Sequence, residues 1–145
     1  MEKLVELMKR LLADVYAHGL RAQNYHWNVE GPDFMQYHGL FGSVYEAAAG
    51  DVDTVAEHIR ALQAYAPATF KRFMELSSIQ DDETVPEALE MVRRLLECNQ
   101  KVLATAALAT AAAEELGQHG VLNFLEGITD AYEKQAWMLR ATSKR

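Results

Sequence analysis

Residues 24–41 read NYHWNVEGPDFMQYHGLF, with His26 and His38 on either side of a Gly31-Pro32 break and aromatic or apolar residues around both. The Gly-Pro pair ends one amphipathic helix near Val29, and Asp33 offers an N-cap for the next. Upstream, Leu4, Met8, Leu11, Val15, Gly19, Ala22 and His26 recur every three or four positions, the stripe of a half-buried helix. Downstream, Phe34, Tyr37, Phe41, Val44, Ala48, Val52, Val55, Ile59 and Leu62 keep the same spacing, and this second helix stops before Pro67. The stretch therefore joins two long helices, with one histidine on each.

The rest of the chain repeats the pattern. Residues 67–83 form a polar connector with room for a short helix around Thr69–Leu76. Thr84 is placed to cap a third long helix, because Pro86 is tolerated only in a first turn. That helix runs through an alanine-rich stretch to Leu116, where Gly117 ends it, and a fourth spans about Gly120 to Ala141. No internal repeat, low-complexity run or strand-like alternation interrupts this. The expected fold is all-α: one domain over residues 1–145, an antiparallel four-helix bundle with a crossover between the second and third long helices.

Composition narrows the function. The chain of 145 residues is half apolar and carries a net charge of −7, which argues against a general nucleic-acid binder with a basic face. The single cysteine, Cys98, has no partner for an internal disulfide and reads as small core filler in a reducing compartment. No charged-then-apolar leader opens the chain, and the weakly apolar run VLATAALATAAA at 102–113 is too short to span a bilayer. The expectation is a cytoplasmic protein with no membrane contact.

The second helix carries the chemistry. Counting 100° per residue from His38, Gly42, Glu46, Ala49, Asp53 and Glu57 share one sector. Asp53 and Glu57, one turn apart, suit a hard cation such as Fe²⁺ or Mn²⁺, and an imidazole adds preference for a transition metal. His38 and Asp53 lie fifteen residues apart on one helix, about 22 Å along its axis, too far to share an ion. A second copy of the helix, antiparallel about a twofold axis near residues 46–48, would bring His38 of one chain opposite Asp53 and Glu57 of the other. The small residues Ala47 to Gly50 permit that approach. Taken singly, a buried histidine is more often a hydrogen-bonded core residue than a ligand, Trp27 is most simply core, and an i, i+4 carboxylate pair is usually a solvated face. Two histidines and two carboxylates converging under one symmetry operation favour metal.

These residues carry a family resemblance. NYHWNVEGPDFMQYHGLF followed by DVDTVAEHI resembles the signature of the Dps-like mini-ferritins, as do the connector helix, TVPEALEMV and YEKQAWMLRA. The resemblance implies a ferritin-like four-helix bundle with a short helix in the connector between the second and third long helices. It also implies a homo-oligomer, a dodecamer built from twofold dimers, with a ferroxidase centre at the dimer interface. His26, His38, Asp53 and Glu57 match the family's metal ligands, which bind Fe²⁺/Fe³⁺ in a di-iron or mono-iron centre. By resemblance, Asp53, Glu57 and a partner's His26 form the stronger site, and His38 serves the second. The family's intermediate acidic ligand falls on Gly42, which has no side chain, so the second ion should be held weakly. Glu46 is expected near the twofold axis, Asp51 points about 160° from the ligand sector, and His58 points elsewhere.

The activity so implied is oxidation of Fe²⁺ by peroxide or dioxygen and storage of the ferric mineral, protecting against oxidative stress. The alternative is a ferritin-like shell that binds metal without ferroxidase turnover because of Gly42. A third reading, DNA compaction, is opposed by the short basic content of the ends, MEKLVELMKRLL and ATSKR. The segment LGQHGVLNFLEGITD offers its first carboxylates at Glu126 and Asp130, so an acidic entry pore there is poorly supplied.

Overall fold

In the computed structural model, which describes residues 1–144, five helices follow one another with no strand among them: α1 (Glu2–Asn28), α2 (Phe34–Ala61), α3 (Phe70–Leu76), α4 (Ala88–Leu116) and α5 (His119–Thr142). α1 packs against both α2 and α4, and α4 pairs with α5. The predicted stripe of α1 is inside: Leu4, Met8, Leu11, Val15 and Ala22 are fully buried. At Gly19, α1 and α2 meet so closely that a Cβ would lie 2.8 Å from the Ala48 Cβ. Cys98 is a free thiol inside the bundle, and burial raises its pKa. No helix of the described residues is long and apolar enough to cross a membrane.

The connector runs lengthwise along α1. Phe73 stacks on Tyr16 with ring centroids 4.7 Å apart, and the Arg21 guanidinium donates to the Gln80 carbonyl at 2.7 Å. Thr69 caps α3, its side chain accepting from the Arg72 N–H. Between these contacts, Asp14 is fully buried and accepts four hydrogen bonds: from Ser77 Oγ (2.9 Å), Ser78 N (2.7 Å), Ser78 Oγ (3.0 Å) and Thr105 Oγ1 (2.6 Å). One carboxylate thus ties the crossover to α1 and α4. Asp14→Ala strands the buried Thr105 hydroxyl and frees the connector's Ser77 and Ser78 donors, which lie nearer solvent, and is expected to destabilise the fold by about 2 kcal/mol. A fall in the urea midpoint at unchanged slope would register it.

One helix start differs from expectation. Thr84 does not cap the third long helix, which starts at Ala88 behind Glu87. Its N–H and hydroxyl both donate to Asp82 Oδ1, at 2.9 and 2.6 Å, and Arg94 pairs with Asp82 at 2.8 Å. These bonds hold the Asp82 carboxyl below the usual carboxylate range, the Thr84 hydroxyl first among the causes. Threonine is consumed by this turn, and Pro86 bars the residue before it from helical geometry. Asp33 stands at the N-cap of α2 but in a left-handed conformation (φ 63°), with no side-chain capping bond. α2 itself gives out at Ala61, where Gln63 turns left-handed (φ 67°), short of Pro67.

A polar layer divides the core. Leu4 to Val15 and Val102 to Ala113 pack in one apolar cluster, and Ala22, Tyr25, Phe41, Leu95 and Leu139 in another. Between them lie His18, Asn99 and Gln135, all buried. Gln135 Oε1 accepts from His18 Nε2 at 2.8 Å and from Asn99 Nδ2 at 3.0 Å. Burial holds the His18 imidazole neutral, its pKa pushed down to about 4.

Candidate metal centre

The short turn after Asn28 folds α2 back on α1 and sets His26 directly against His38. Their rings stack with centroids 3.8 Å apart and planes 13° from parallel. Each binds the other's backbone: His26 Nδ1 donates to the His38 carbonyl at 2.7 Å, and His38 Nδ1 donates to the His26 carbonyl at 2.6 Å. A carbonyl can only accept, so both rings carry their proton on Nδ1 when neutral, leaving Nε2 as a bare lone pair. Fixing the far nitrogen in this way is how a protein orients an imidazole for a metal. Phe34 covers the other side of His38, its ring stacked at 5.0 Å.

Gly42, one turn along α2, is buried beneath His26. A Cβ there would lie 3.0 Å from both Cε1 and Nδ1 of the His26 ring. The close packing that glycine permits is therefore with its own chain's histidine.

Asp53 and Glu57 are exposed on the same helix, farther along. Neither has an ion-pair partner among the described residues. No three His, Cys, Asp or Glu side chains converge among those residues, so the carboxylates stay apart from the histidine pair within the chain. Glu46 is likewise exposed. Asp51 turns inward toward α5, where partial burial raises its carboxyl pKa against the Tyr132 hydroxyl, which lowers it. His58 is half-buried, its ring 4.7 Å from that of Phe124.

Trp27 departs from its expected place in the core, being 65% exposed. One residue is 100° of helix rotation. With His26 turned toward α2, Trp27 faces a groove of about 980 Å³ between α1 and the connector, lined also by Leu20, Phe70 and Met74. The tertiary partners Phe34 and the two backbone carbonyls left no mark in the sequence beyond the aromatic character of residues 24–41.

Comparison with known proteins follows the same lines. The model of the ferritin-like domain family matches residues 5–145. The chain belongs to this family, among its Dps proteins. It is 31% identical over 140 residues to DNA protection during starvation protein 2 of Bacillus anthracis, covering 97% of this chain and 96% of that one. The crystal structure of a Dps protein from Bacillus brevis superposes with a TM-score of 0.93 at 28% identity, covering 97% of this chain and 95% of its own. The Dps protein of Vibrio cholerae O1, described as a member of a broad superfamily of ferritin-like diiron-carboxylate proteins, shares the fold at a TM-score of 0.95 and 24% identity, over 99% and 90% of the two chains. The bundle with its crossover is the one expected from the helical spacing, and its Dps form is the one the motif resemblance implied.

Proposed function

We infer that the protein is an iron-handling mini-ferritin: Fe²⁺ is the substrate, bound between two chains by His26 and His38 of one and Asp53 and Glu57 of the other. Peroxide or dioxygen takes the electrons, one from each Fe²⁺, and the ferric product is stored as mineral within a closed homo-oligomer, a dodecamer of twofold dimers. Removing Fe²⁺ and peroxide together limits hydroxyl-radical chemistry, and a cytoplasmic setting suits the reduced Cys98. The observation that carries this reading is the reciprocal Nδ1–carbonyl bonding of the two histidines, which leaves two fixed nitrogen lone pairs beside each other. The donor set fits iron: imidazole nitrogen suits a transition ion, and unpaired carboxylates offset its charge. This chain's histidines would orient the ion and its carboxylates would stabilise the added positive charge on oxidation.

Stopped-flow oxidation of Fe²⁺, against a protein-free control, tests the activity. Acceleration by the wild type, lost on Asp53→Ala, is expected. Binding without acceleration would favour the second reading, a metal-binding shell without turnover, for which the bare Gly42 position is the specific support. The net charge of −7 leads us to expect no DNA complex in a low-salt gel shift.

Assembly is a separate expectation. Because the donors of one chain do not converge, the site needs a second copy, and sedimentation should show no stable monomer at micromolar protein. A monomer that still bound iron tightly would overturn the shared site.

A further inference from the structure

Two glycines pinch the seam between α1 and α2. At Gly42 a Cβ would lie 3.0 Å from the His26 ring, and at Gly19 one would lie 2.8 Å from the Ala48 Cβ. The two obstacles differ in kind. An imidazole can give by turning, whereas the Ala48 Cβ is fixed to the α2 backbone. Both Gly19 and Ala48 are buried, so a methyl group enters at Gly19 only if the helices part. Carbon atoms in contact settle at about 3.5 to 4.0 Å, so the parting is about 0.7 Å or more.

The histidine pair has little slack for this. His26 Nδ1 and His38 Nδ1 each cross the seam to the opposite backbone carbonyl, at 2.7 and 2.6 Å. Nδ1 is the ring nitrogen nearer its own backbone, so both bonds form only where the two helices nearly touch. The pair lies between the turn that joins α1 to α2 and the Gly19–Ala48 contact. Gly19 stands seven residues before His26, about 10 Å along α1. Helices move as stiff rods, so a parting at this contact is carried to the rings. We propose that Gly19 is a positioning residue for the histidine pair: its missing side chain sets the helix spacing that keeps both imidazoles bonded through Nδ1 with Nε2 bare. The benefit to metal binding rests on the shared-site reading above.

Proton and ¹⁵N spectra of the metal-free, histidine-labelled protein at about pH 8, where free imidazole is neutral, test the positioning itself. His26→Gln and His38→Gln assign the signals. Short bonds place both Nδ1–H protons far downfield in the wild type; in Gly19→Ala they should move upfield. Gly19→Ala with Ala48→Gly, which returns the lost space, should restore them. Gly39→Ala is the control: Gly39 adjoins His38, but a Cβ there meets nothing within 4 Å, so the protons should stay put. Ala48→Ser crowds the same contact from α2 and should shift them the same way, which keeps the test decisive if Gly19→Ala does not assemble. Anaerobic Fe²⁺ dialysis should show affinity falling about 10-fold in Gly19→Ala and recovering in the double variant, since loosening a group that orients an imidazole ligand costs roughly 10- to 100-fold. Unmoved protons in the crowded variants, no recovery in the double variant, or an equal shift in Gly39→Ala would overturn the positioning role. Shifted protons with unchanged Fe²⁺ affinity would instead overturn the shared site, and with it any service of Gly19 to the metal.

Discussion

Asp53→Ala and Glu57→Ala are each expected to abolish tight Fe²⁺ binding, a loss of about 100-fold or more, while His58→Ala leaves it unchanged. Removing even a group that only orients a ligand costs roughly 10- to 100-fold in metal affinity, so losing a ligand sets the larger end of that range. The two carboxylates are exposed and without ion-pair partners, so their truncation should leave the subunit fold intact. His58 is one residue from Glu57 yet leans on Phe124 of α5, off the ligand sector. Anaerobic equilibrium dialysis with Fe²⁺ measures all three variants. Equal losses would mean that the wrong face of α2 had been assigned to the metal.

Acid should weaken the fold through His18. The imidazole is fully buried, and desolvation pushes its pKa down from 6.5 to about 4, the hydrogen bond to Gln135 opposing and the nearby Arg21 charge adding to the fall. Between those pH values the unfolded chain takes up a proton that the folded chain refuses. Stability therefore falls as the pH drops through this window, by about 1.4 kcal/mol per unit and about 3 kcal/mol in all, and is fully restored above pH 6.5. Urea unfolding at fixed protein concentration, pH 7 against pH 4, should show this loss. In His18→Gln the loss should be smaller by that amount. An identical pH dependence in the variant would show that the imidazole is solvated and carries no such penalty.

Much of this architecture is legible in the residue order because helical spacing is a local property. The stripe from Leu4 to Ala22 appears in the core as expected, Gly117 ends α4 in a left-handed turn (φ 65°), and Thr69 caps the connector helix. What spacing does not convey is which partner a polar group finds. Thr84 has the look of an N-cap and instead serves Asp82 and Arg94, because two side chains from elsewhere compete for it. Trp27 looks like core and lies on the surface, since its burial depends on which way its neighbour His26 turns. Asp14 offered no signal at all, although its acceptor oxygens hold the crossover in place. At the candidate centre, the residue types and their separation along α2 could be read from the sequence, but the Nδ1–carbonyl reciprocity and the ring packing on Gly42 are products of the α1–α2 contact.

That contact joins residues only twelve apart in the chain, so the imidazole half of the centre is complete within a single helical hairpin. The carboxylate half belongs to another molecule in the proposed dimer. Cargo and quaternary structure are then thermodynamically linked: an ion that bridges the halves binds the dimer and not the separated chains. At one hundred times its dissociation constant, each bridging ion adds about 2.7 kcal/mol to association, and a twofold dimer has two such bridges. Metal supply would thus control how firmly the shell is held together, and chelation would loosen it from the centre outward.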